Sequence, residues 1–187
     1  MNFDILAGQV DRYVEILAFM EGKIDELTAE IEEAYQMTDA DRLLYSIPGV
    51  GQLTAACAET YLAPAGRFPN HSSADSWAGV ISKTEASGQL GKKGLKMSKA
   101  GPPAFRRVLY LAADVARRHD PQLAGIYHRE MVEKGNPHTK AVVAYMRRLL
   151  HRILTIMEDR REYLLRDLGG NPIDLSAAGS LSKGKLL

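Results

Sequence analysis

Apolar residues in the first 36 positions recur at alternating spacings of three and four. A period of 3.5 residues keeps one face of a helix against a partner helix, so the pattern predicts a coiled-coil arm over residues 1–36. A helix packed on its own domain is the alternative, but at about 50 Å it would overhang a domain of this size. The stripe consists of Phe3, Leu6, Val10, Tyr13, Leu17, Met20, Ile24, Leu27, Ile31 and Ala34.

Helical spacing of apolar residues continues through a predicted compact domain over residues 38–166. No segment alternates as a buried strand, so the fold class is predicted to be mostly α. Pro102 and Pro103 favour the start of a helix over 102–118, because proline gives up an amide that a first turn leaves unpaired anyway. One face of that helix is apolar, with Phe105, Val108, Leu109, Ala112, Val115 and Ala116.

Further helices are predicted over 121–134 and 137–160. Asp120 is the expected N-cap of the first, since its carboxylate can accept a hydrogen bond from the helix's free amides. Residues 167–187 lose both periodicity and bulky side chains and are expected to form a flexible tail.

Residues 38–62 have the sequence form of a helix-hairpin-helix. Thr38 or Asp39 can cap a short first helix, and Gly49 and Gly51 flank the turn before the second. Glycine lets a backbone approach closely, so both positions are predicted to contact DNA phosphates near the second helix's N-terminus. In the alternative, an ordinary αα-hairpin, the glycines serve packing alone.

The formal net charge of +1 conceals a strong asymmetry along the chain. Residues 1–35 contain nine acidic and two basic side chains, whereas residues 83–107 contain seven basic and one acidic. A polyanion is therefore the expected partner of the basic part. A single cysteine, Cys57, and the lack of a signal segment or a membrane-length apolar run predict a cytoplasmic protein without a membrane partner.

Helical periodicity lapses between Ile81 and Ala100, in a lysine- and glycine-rich loop that is expected to order on nucleic acid. Within "KMSKAGPPAFRR", Ser98 lies between two lysines and shortly before a helix. Nearby cations and the positive end of a helix dipole can stabilise charge on a phosphate that a serine attacks. A loop serine in a phosphate-binding patch is the alternative. The predicted DNA contacts here are Lys83, Lys92, Lys93, Lys96, Lys99, Arg106 and Arg107.

Metal chemistry has little support in the sequence. The five histidines are scattered without ligand spacing, and the carboxylates are concentrated in the predicted arm. No metal ligand and no cofactor is therefore predicted within this chain.

Five segments in order, from about Leu43 to Tyr163, resemble the C-terminal half of insertion-sequence 110 family transposases, enzymes of bacterial mobile elements. They read "IPGVGQLTA", "GRFPNHSSADSWAGVISKT", "SGQLGKKGLKMSKAGPPAFRRVLYLAA", "ARRHDPQLAGIYHREMVEKG" and "KAVVAYMRRLLHRIL". The predicted coiled-coil arm also fits this resemblance.

The resemblance implies that DNA is cut and rejoined by the serine of an "SK-x-G" motif, which here is Ser98 followed by Lys99 and Gly101. It further implies an N-terminal RuvC-like domain with four acidic residues and Mg²⁺, a structured guide RNA, and a covalent protein–DNA link. No such domain lies within this sequence, so Mg²⁺ is expected outside the chain. We expect the chain to bind DNA but not to recombine it alone.

Three hypotheses follow from the sequence. The first is the serine-bearing domain of a transposase that forms a homo-oligomer through its coiled-coil arm. The second is a DNA-binding module built on the hairpin, in which Ser98 is inert. The third is a coiled-coil interaction protein with no nucleic-acid role.

Overall fold

The computed structural model describes residues 3–38, 42–81 and 97–173, with the side chains of residues 3–5 left aside. The mostly α class is confirmed: six α-helices form these ranges, together with a 3₁₀ helix at Leu43–Ser46 and a π-helical turn at Arg129–Glu133, and none of the described residues forms a named strand. The helices are α1 (Phe3–Thr38), α2 (Gln52–Leu62), α3 (His71–Ala78), α4 (Pro103–Ala116), α5 (Pro121–His128) and α6 (His138–Asp159).

Helix α6 is the centre of the folded domain. It begins after Pro137, whose φ of −64° suits a helix start, and ends at Arg160 in the left-handed conformation. Helices α3, α4 and α5 and the 3₁₀ helix all pack against it. Apolar side chains at helical spacing make this possible, and those buried are Ala141, Val142, Tyr145, Met146, Leu149, Leu150, Ile153, Leu154, Ile156 and Met157.

Helix α4 supplies the second layer of the core, between α2 and α6. Phe105, Leu109, Ala112 and Ala116 are buried, as the apolar face predicts. Val115 belongs to the same predicted face but is 43% exposed, since it lies at the edge of the stripe.

Helix α1 touches the domain only towards its C-terminal end, where Tyr35 is buried and its ring lies 5.4 Å from that of Tyr45. The whole helix is about 54 Å long, and its remainder extends away from the core. Its described large apolar side chains are between 44% and 68% exposed: Leu6, Val10, Tyr13, Val14, Ile16, Leu17, Phe19, Met20, Ile24 and Leu27.

The first part of the predicted hairpin differs from expectation. Thr38 is the last residue of α1, and its hydroxyl donates to the carbonyl of Tyr35 at 2.8 Å. The prediction that Thr38 caps a following helix is therefore wrong, because burial of Tyr35 against the domain extends α1 to this point. Asp39, the other candidate, lies outside the described residues. The element before the turn is a single 3₁₀ turn rather than an α-helix.

Residues 165–173, where the tail is predicted to begin, fold back on themselves. Ile173 donates its amide to the carbonyl of Leu165 at 2.8 Å, and the Asp167 carboxylate accepts the amide of Asn171 at 2.8 Å. Leu165 is buried, which attaches this turn to the domain. Residues 174–187 lie outside the described residues.

Membrane insertion finds no support in the described helices. Across residues 3–38, 42–81 and 97–173, none of them combines the length and the apolar character that crossing a bilayer requires.

Candidate functional site

Ser98 lies in a non-helical segment, residues 98–101 (the Ser98 segment), whose backbone is hydrogen-bonded to the residues that directly follow α3. The Ser98 amide donates to the carbonyl of Ile81 at 2.8 Å, and the Lys99 amide donates to the carbonyl of Gly79 at 3.0 Å. These two bonds fix the position of Ser98 immediately before α4.

Two glycines allow this close approach of backbone to backbone. A Cβ atom on Gly101 would lie 2.1 Å from the carbonyl oxygen of Trp77, and one on Gly79 would lie 2.3 Å from the amide nitrogen of Ala100. Gly79 also has a φ of +70°, which disfavours other residues. Any side chain at either position would push the Ser98 segment away from α3.

The Ser98 side chain is half-buried, and among the described residues no group hydrogen-bonds its hydroxyl. Lys99, the following residue, is exposed and has a φ of +57°, unusual for a residue with a side chain. Within residues 97–100, the stretch around Ser98 that the structure describes, the exposed cation next to the hydroxyl in the chain is Lys99.

The two arginines of the predicted patch have different environments. Arg107 is exposed in α4. Arg106 is half-buried, and its Nη1 donates to the carbonyl of Gly101 and, at 3.4 Å, to that of Ala78. Arg107 is therefore the more exposed of the two arginines, and phosphate contact by either of them stays a prediction.

The N-terminus of α4 offers fewer amide donors than an ordinary helix start. Pro102 precedes the helix and Pro103 is its first residue, and neither has an N–H group. The first-turn amides that have no intrahelical partner are thus those of Ala104 and Phe105. The positive end of the helix dipole lies at the same place.

Four of the predicted phosphate contacts cannot be placed. Lys83, Lys92, Lys93 and Lys96 lie in the segment 82–96, outside the described residues.

The two glycines of the predicted hairpin face different surroundings. Gly49 has a φ of +85°, and a Cβ there would lie 2.6 Å from both the Ala112 carbonyl oxygen and the Ala116 amide nitrogen of α4. Gly51 is exposed at the N-cap of α2, with nothing within 4 Å of a Cβ. Packing on α4 explains glycine at position 49, and DNA contact by either glycine stays a prediction.

Carboxylates of α1 lie beside the N-terminus of α2. Asp25, Glu32 and Glu33 line the same surface groove as Gln52, the first residue of α2. Hydrogen bonds from Tyr45 and Gln36 keep the pKa of Glu32 below its usual range, so this carboxylate is ionised at neutral pH. Negative charge here complements the helix dipole and opposes a phosphate at Gly51.

The turn at Gly49 and the Ser98 segment meet α4 at opposite ends. Gly49 packs at Ala112 and Ala116, whereas Ser98 precedes the first turn. At 1.5 Å per residue these places are about 14 to 20 Å apart along the helix. The structure therefore brings Ser98, Lys99, Arg106 and Arg107 to one region and leaves the hairpin glycines in another.

A buried carboxylate that no sequence pattern predicts joins α3 to α6. Asp75 is fully buried; its Oδ2 accepts from Arg147 Nη2 at 2.7 Å and its Oδ1 from His151 Nε2 at 2.9 Å. Burial lowers the pKa of His151, although the Asp75 charge opposes this shift. This pairing fixes α3, the element that supports Ser98, to the central helix.

Asp120 is the N-cap of α5, as predicted, and does more than cap. Its Oδ1 accepts the amide of Leu123 at 3.0 Å, while its Oδ2 accepts from Arg152 at 2.5 Å and from the Tyr163 hydroxyl at 2.8 Å. The amide of Tyr163 in turn donates to the Ser46 hydroxyl at 2.7 Å. One carboxylate thus connects α5, α6 and the C-terminal segment, and through Tyr163 the 3₁₀ helix.

A row of aromatic rings packs α3 on α4. Trp77 lies between Phe68 and Phe105, with ring centroids 5.6 Å and 6.0 Å away, and Phe105 contacts Tyr61 at 5.6 Å. The Arg67 guanidinium lies 5.0 Å from the Trp77 ring centroid. Trp77 is thus a packing residue beneath the Ser98 segment rather than an open stacking surface.

The Mg²⁺ implied by the resemblance has no matching ligand set in the part of the chain that the structure describes. No group of three or more histidine, cysteine, aspartate or glutamate side chains converges there in a way that could hold a metal ion. No chemical step is therefore assigned to a metal held by these residues.

Comparisons with known proteins find similarity over the segment that contains Ser98. Residues 41–128 match the family described as "Transposase IS116/IS110/IS902 family". The chain is 29% identical over 161 residues to the uncharacterized 42 kDa protein of insertion element IS900 from Mycobacterium paratuberculosis, and 26% identical over 151 residues to the uncharacterized 43.6 kDa protein of insertion element IS110 from Streptomyces coelicolor.

These matches cover 85% and 81% of this chain, but 40% and 36% of the two relatives. The chain therefore spans about two fifths of the length of the curated relatives that it matches. The class of protein to which the chain is similar is the transposase of insertion sequences. Residues 41–128, just under half of the chain, are similar to the IS116/IS110/IS902 family.

Proposed function

We propose that this chain is a DNA-binding domain of a transposase and that Ser98 is its nucleophile in DNA cleavage and rejoining. One observation carries the proposal: in the segment that matches the transposase family, the Ser98 hydroxyl lacks a described partner while its backbone is firmly held. A nucleophile needs both an available oxygen and a fixed position.

The proposed reaction exchanges one phosphodiester for another. Ser98 Oγ forms a bond to the DNA phosphorus, the bond from phosphorus to one deoxyribose oxygen breaks, and that oxygen leaves as a hydroxyl. The serine proton passes to solvent or to a base, and the leaving oxygen takes up a proton. Attack by a second DNA hydroxyl reverses these changes and releases Ser98. We expect the exposed cations Lys99 and Arg107 to stabilise the charge on the phosphate.

The resemblance also implies a RuvC-like domain that supplies Mg²⁺, a guide RNA and assembly of subunits. We propose these three features for the protein as a whole. We expect this chain alone to bind DNA without recombining it. Efficient strand transfer by the purified chain would contradict the proposal that strand transfer also needs the RuvC-like domain.

The direct test is the identity of the protein–DNA bond. Cells carrying the insertion element are lysed in denaturant, covalent protein–DNA adducts are isolated, and the nucleotide-linked peptide is sequenced by mass spectrometry. The proposal requires the nucleotide on Ser98. A nucleotide on another residue of this chain contradicts it.

Binding to DNA is expected to depend steeply on salt, because cations that contact phosphates release condensed counterions. Arg107→Ala should weaken binding about equally for all DNA sequences and reduce the slope of log affinity against log salt by about one. Titrations at several salt concentrations measure this slope. Arg12→Ala, which removes an exposed cation from the acidic arm, is the matched control and should leave the slope unchanged.

We also propose that α1 pairs with α1 of a second copy. The exposed apolar stripe at coiled-coil spacing supports this, since so much apolar surface is unfavourable in water. Replacing both Leu17 and Ile24 by glutamine should convert an oligomer to a monomer in sedimentation equilibrium. Ala18→Gln changes an exposed residue outside the stripe and should leave the assembly intact. A monomeric wild-type chain would refute the pairing.

A further inference from the structure

We infer that Arg106 is a positioning residue, which holds the Ser98 segment against α3, rather than a residue that binds DNA phosphate. The inference rests on the proposed role of Ser98 as the nucleophile. It separates Arg106 from its neighbour Arg107, although composition and position in the sequence make the two equivalent.

The contacts of Arg106 define this role. Its guanidinium comes from α4 and donates to the carbonyl of Gly101, on the Ser98 segment, and to that of Ala78, the last residue of α3. The last carbonyls of a helix lack intrahelical partners and carry partial negative charge, so a cation is favourable there. One side chain thus joins three parts of the fold: α3, the Ser98 segment and α4.

The surroundings explain why an arginine is needed. Gly79 and Gly101 have no side chains with which to interlock, and any Cβ there would collide with the opposite backbone. The segment is otherwise held by the amides of Ser98 and Lys99. Among the described residues, the Arg106 side chain is the one that hydrogen-bonds to residues 98–101.

The same contacts remove Arg106 from the phosphate-binding set. A guanidinium that is half-buried and directed at two carbonyls cannot turn to solvent without giving up both bonds. Arg107 follows it by about 100° around the helix and is exposed. Loss of Arg106 should therefore move the nucleophile, whereas loss of Arg107 should weaken binding to DNA.

Displacement of a reacting group by about 1 Å can cost about a hundredfold in rate. In cells that carry the insertion element, we expect Arg106→Ala to lower the rate of adduct formation by about that factor. The purified chain with the same substitution should keep the wild-type dissociation constant for DNA and the wild-type salt slope. Arg106→Lys retains a cationic donor but not the guanidinium whose Nη1 reaches both carbonyls, so it should recover part of the rate.

Hydrogen exchange tests the positioning without any reaction. In the full chain, the Ser98 and Lys99 amides should exchange at least about tenfold faster in Arg106→Ala than in the wild type, and by an intermediate factor in Arg106→Lys. Arg107→Ala, the matched control, should leave both amides unchanged. Exchange of the α6 amides reports whether each variant is folded, and if Arg106→Ala does not fold, the comparison is made on Arg106→Lys.

Two results would overturn the inference: wild-type exchange at Ser98 and Lys99 in every folded Arg106 variant, or a salt slope that falls in such a variant as it does in Arg107→Ala. Failure of the proposed nucleophile is a different result. It is an adduct that persists when Ser98 itself is replaced, and it leaves the exchange measurements unaffected.

Discussion

Replacement of Ser98 by alanine is expected to eliminate the covalent protein–DNA adduct, with a loss of at least about three orders of magnitude in cells that carry the insertion element. The reason is that no other atom at this position can form the phosphoester bond. The backbone bonds to Ile81 and Gly79 involve the amides of residues 98 and 99, so alanine preserves them. The adduct is measured by rapid denaturing lysis and recovery of protein-linked DNA.

Two controls make this result specific. Ser98→Ala should bind DNA with the wild-type salt slope, because the hydroxyl it lacks is uncharged. Ser87→Ala removes a serine 11 positions earlier in the sequence, outside the described residues, and this variant should form the adduct normally. Persistence of the adduct in Ser98→Ala would falsify the nucleophile assignment.

Replacement of Gly49 by alanine is expected to destabilise the folded domain by about 3 kcal/mol. Its φ of +85° costs a residue with a Cβ about 1–2 kcal/mol, and the collision with the backbone of α4 at 2.6 Å adds a packing cost of similar size. Because these neighbours are backbone atoms, they cannot move aside as a side chain can. In a chain of this size the midpoint of thermal unfolding should fall by about 6–12 °C.

Gly51→Ala is the matched control two residues away. Gly51 is exposed, with a φ of −101° and open space around a Cβ, so alanine there should cost less than about 1 kcal/mol. Calorimetry of the two variants compares the costs directly. If Gly49 served phosphate binding alone, Gly49→Ala would keep wild-type stability and lose DNA affinity instead.

Helix positions could be predicted where a local signal marks them. Pro103 marks the start of α4 and Asp120 the start of α5, while the apolar spacing of α6 follows directly from the amino acids. The 3₁₀ helix at Leu43–Ser46 could not be predicted in the same way. It is too short for a periodic signal, and it packs against α6, which is distant in the chain.

The region around Ser98 shows the same division between local and distant contacts. Its cationic neighbours are adjacent in the chain, so the sequence alone makes it a candidate. The Ala78 carbonyl that receives Arg106 is 28 positions away, and Arg147 is 72 positions from Asp75. Such pairs arise only when helices pack, and no spacing in a single sequence encodes them.

The bond between Ser46 and Tyr163 has a consequence for synthesis of the protein. The amide of Tyr163 donates to the Ser46 hydroxyl across 117 positions of the chain. The Tyr163 hydroxyl also donates to the Asp120 carboxylate, which accepts from Arg152 as well. On the ribosome, the hairpin and α4 emerge long before the residues that complete their support. We therefore expect the domain to reach its native fold only after residue 163 has left the exit tunnel, and truncation before that point should leave the earlier helices without a stable fold.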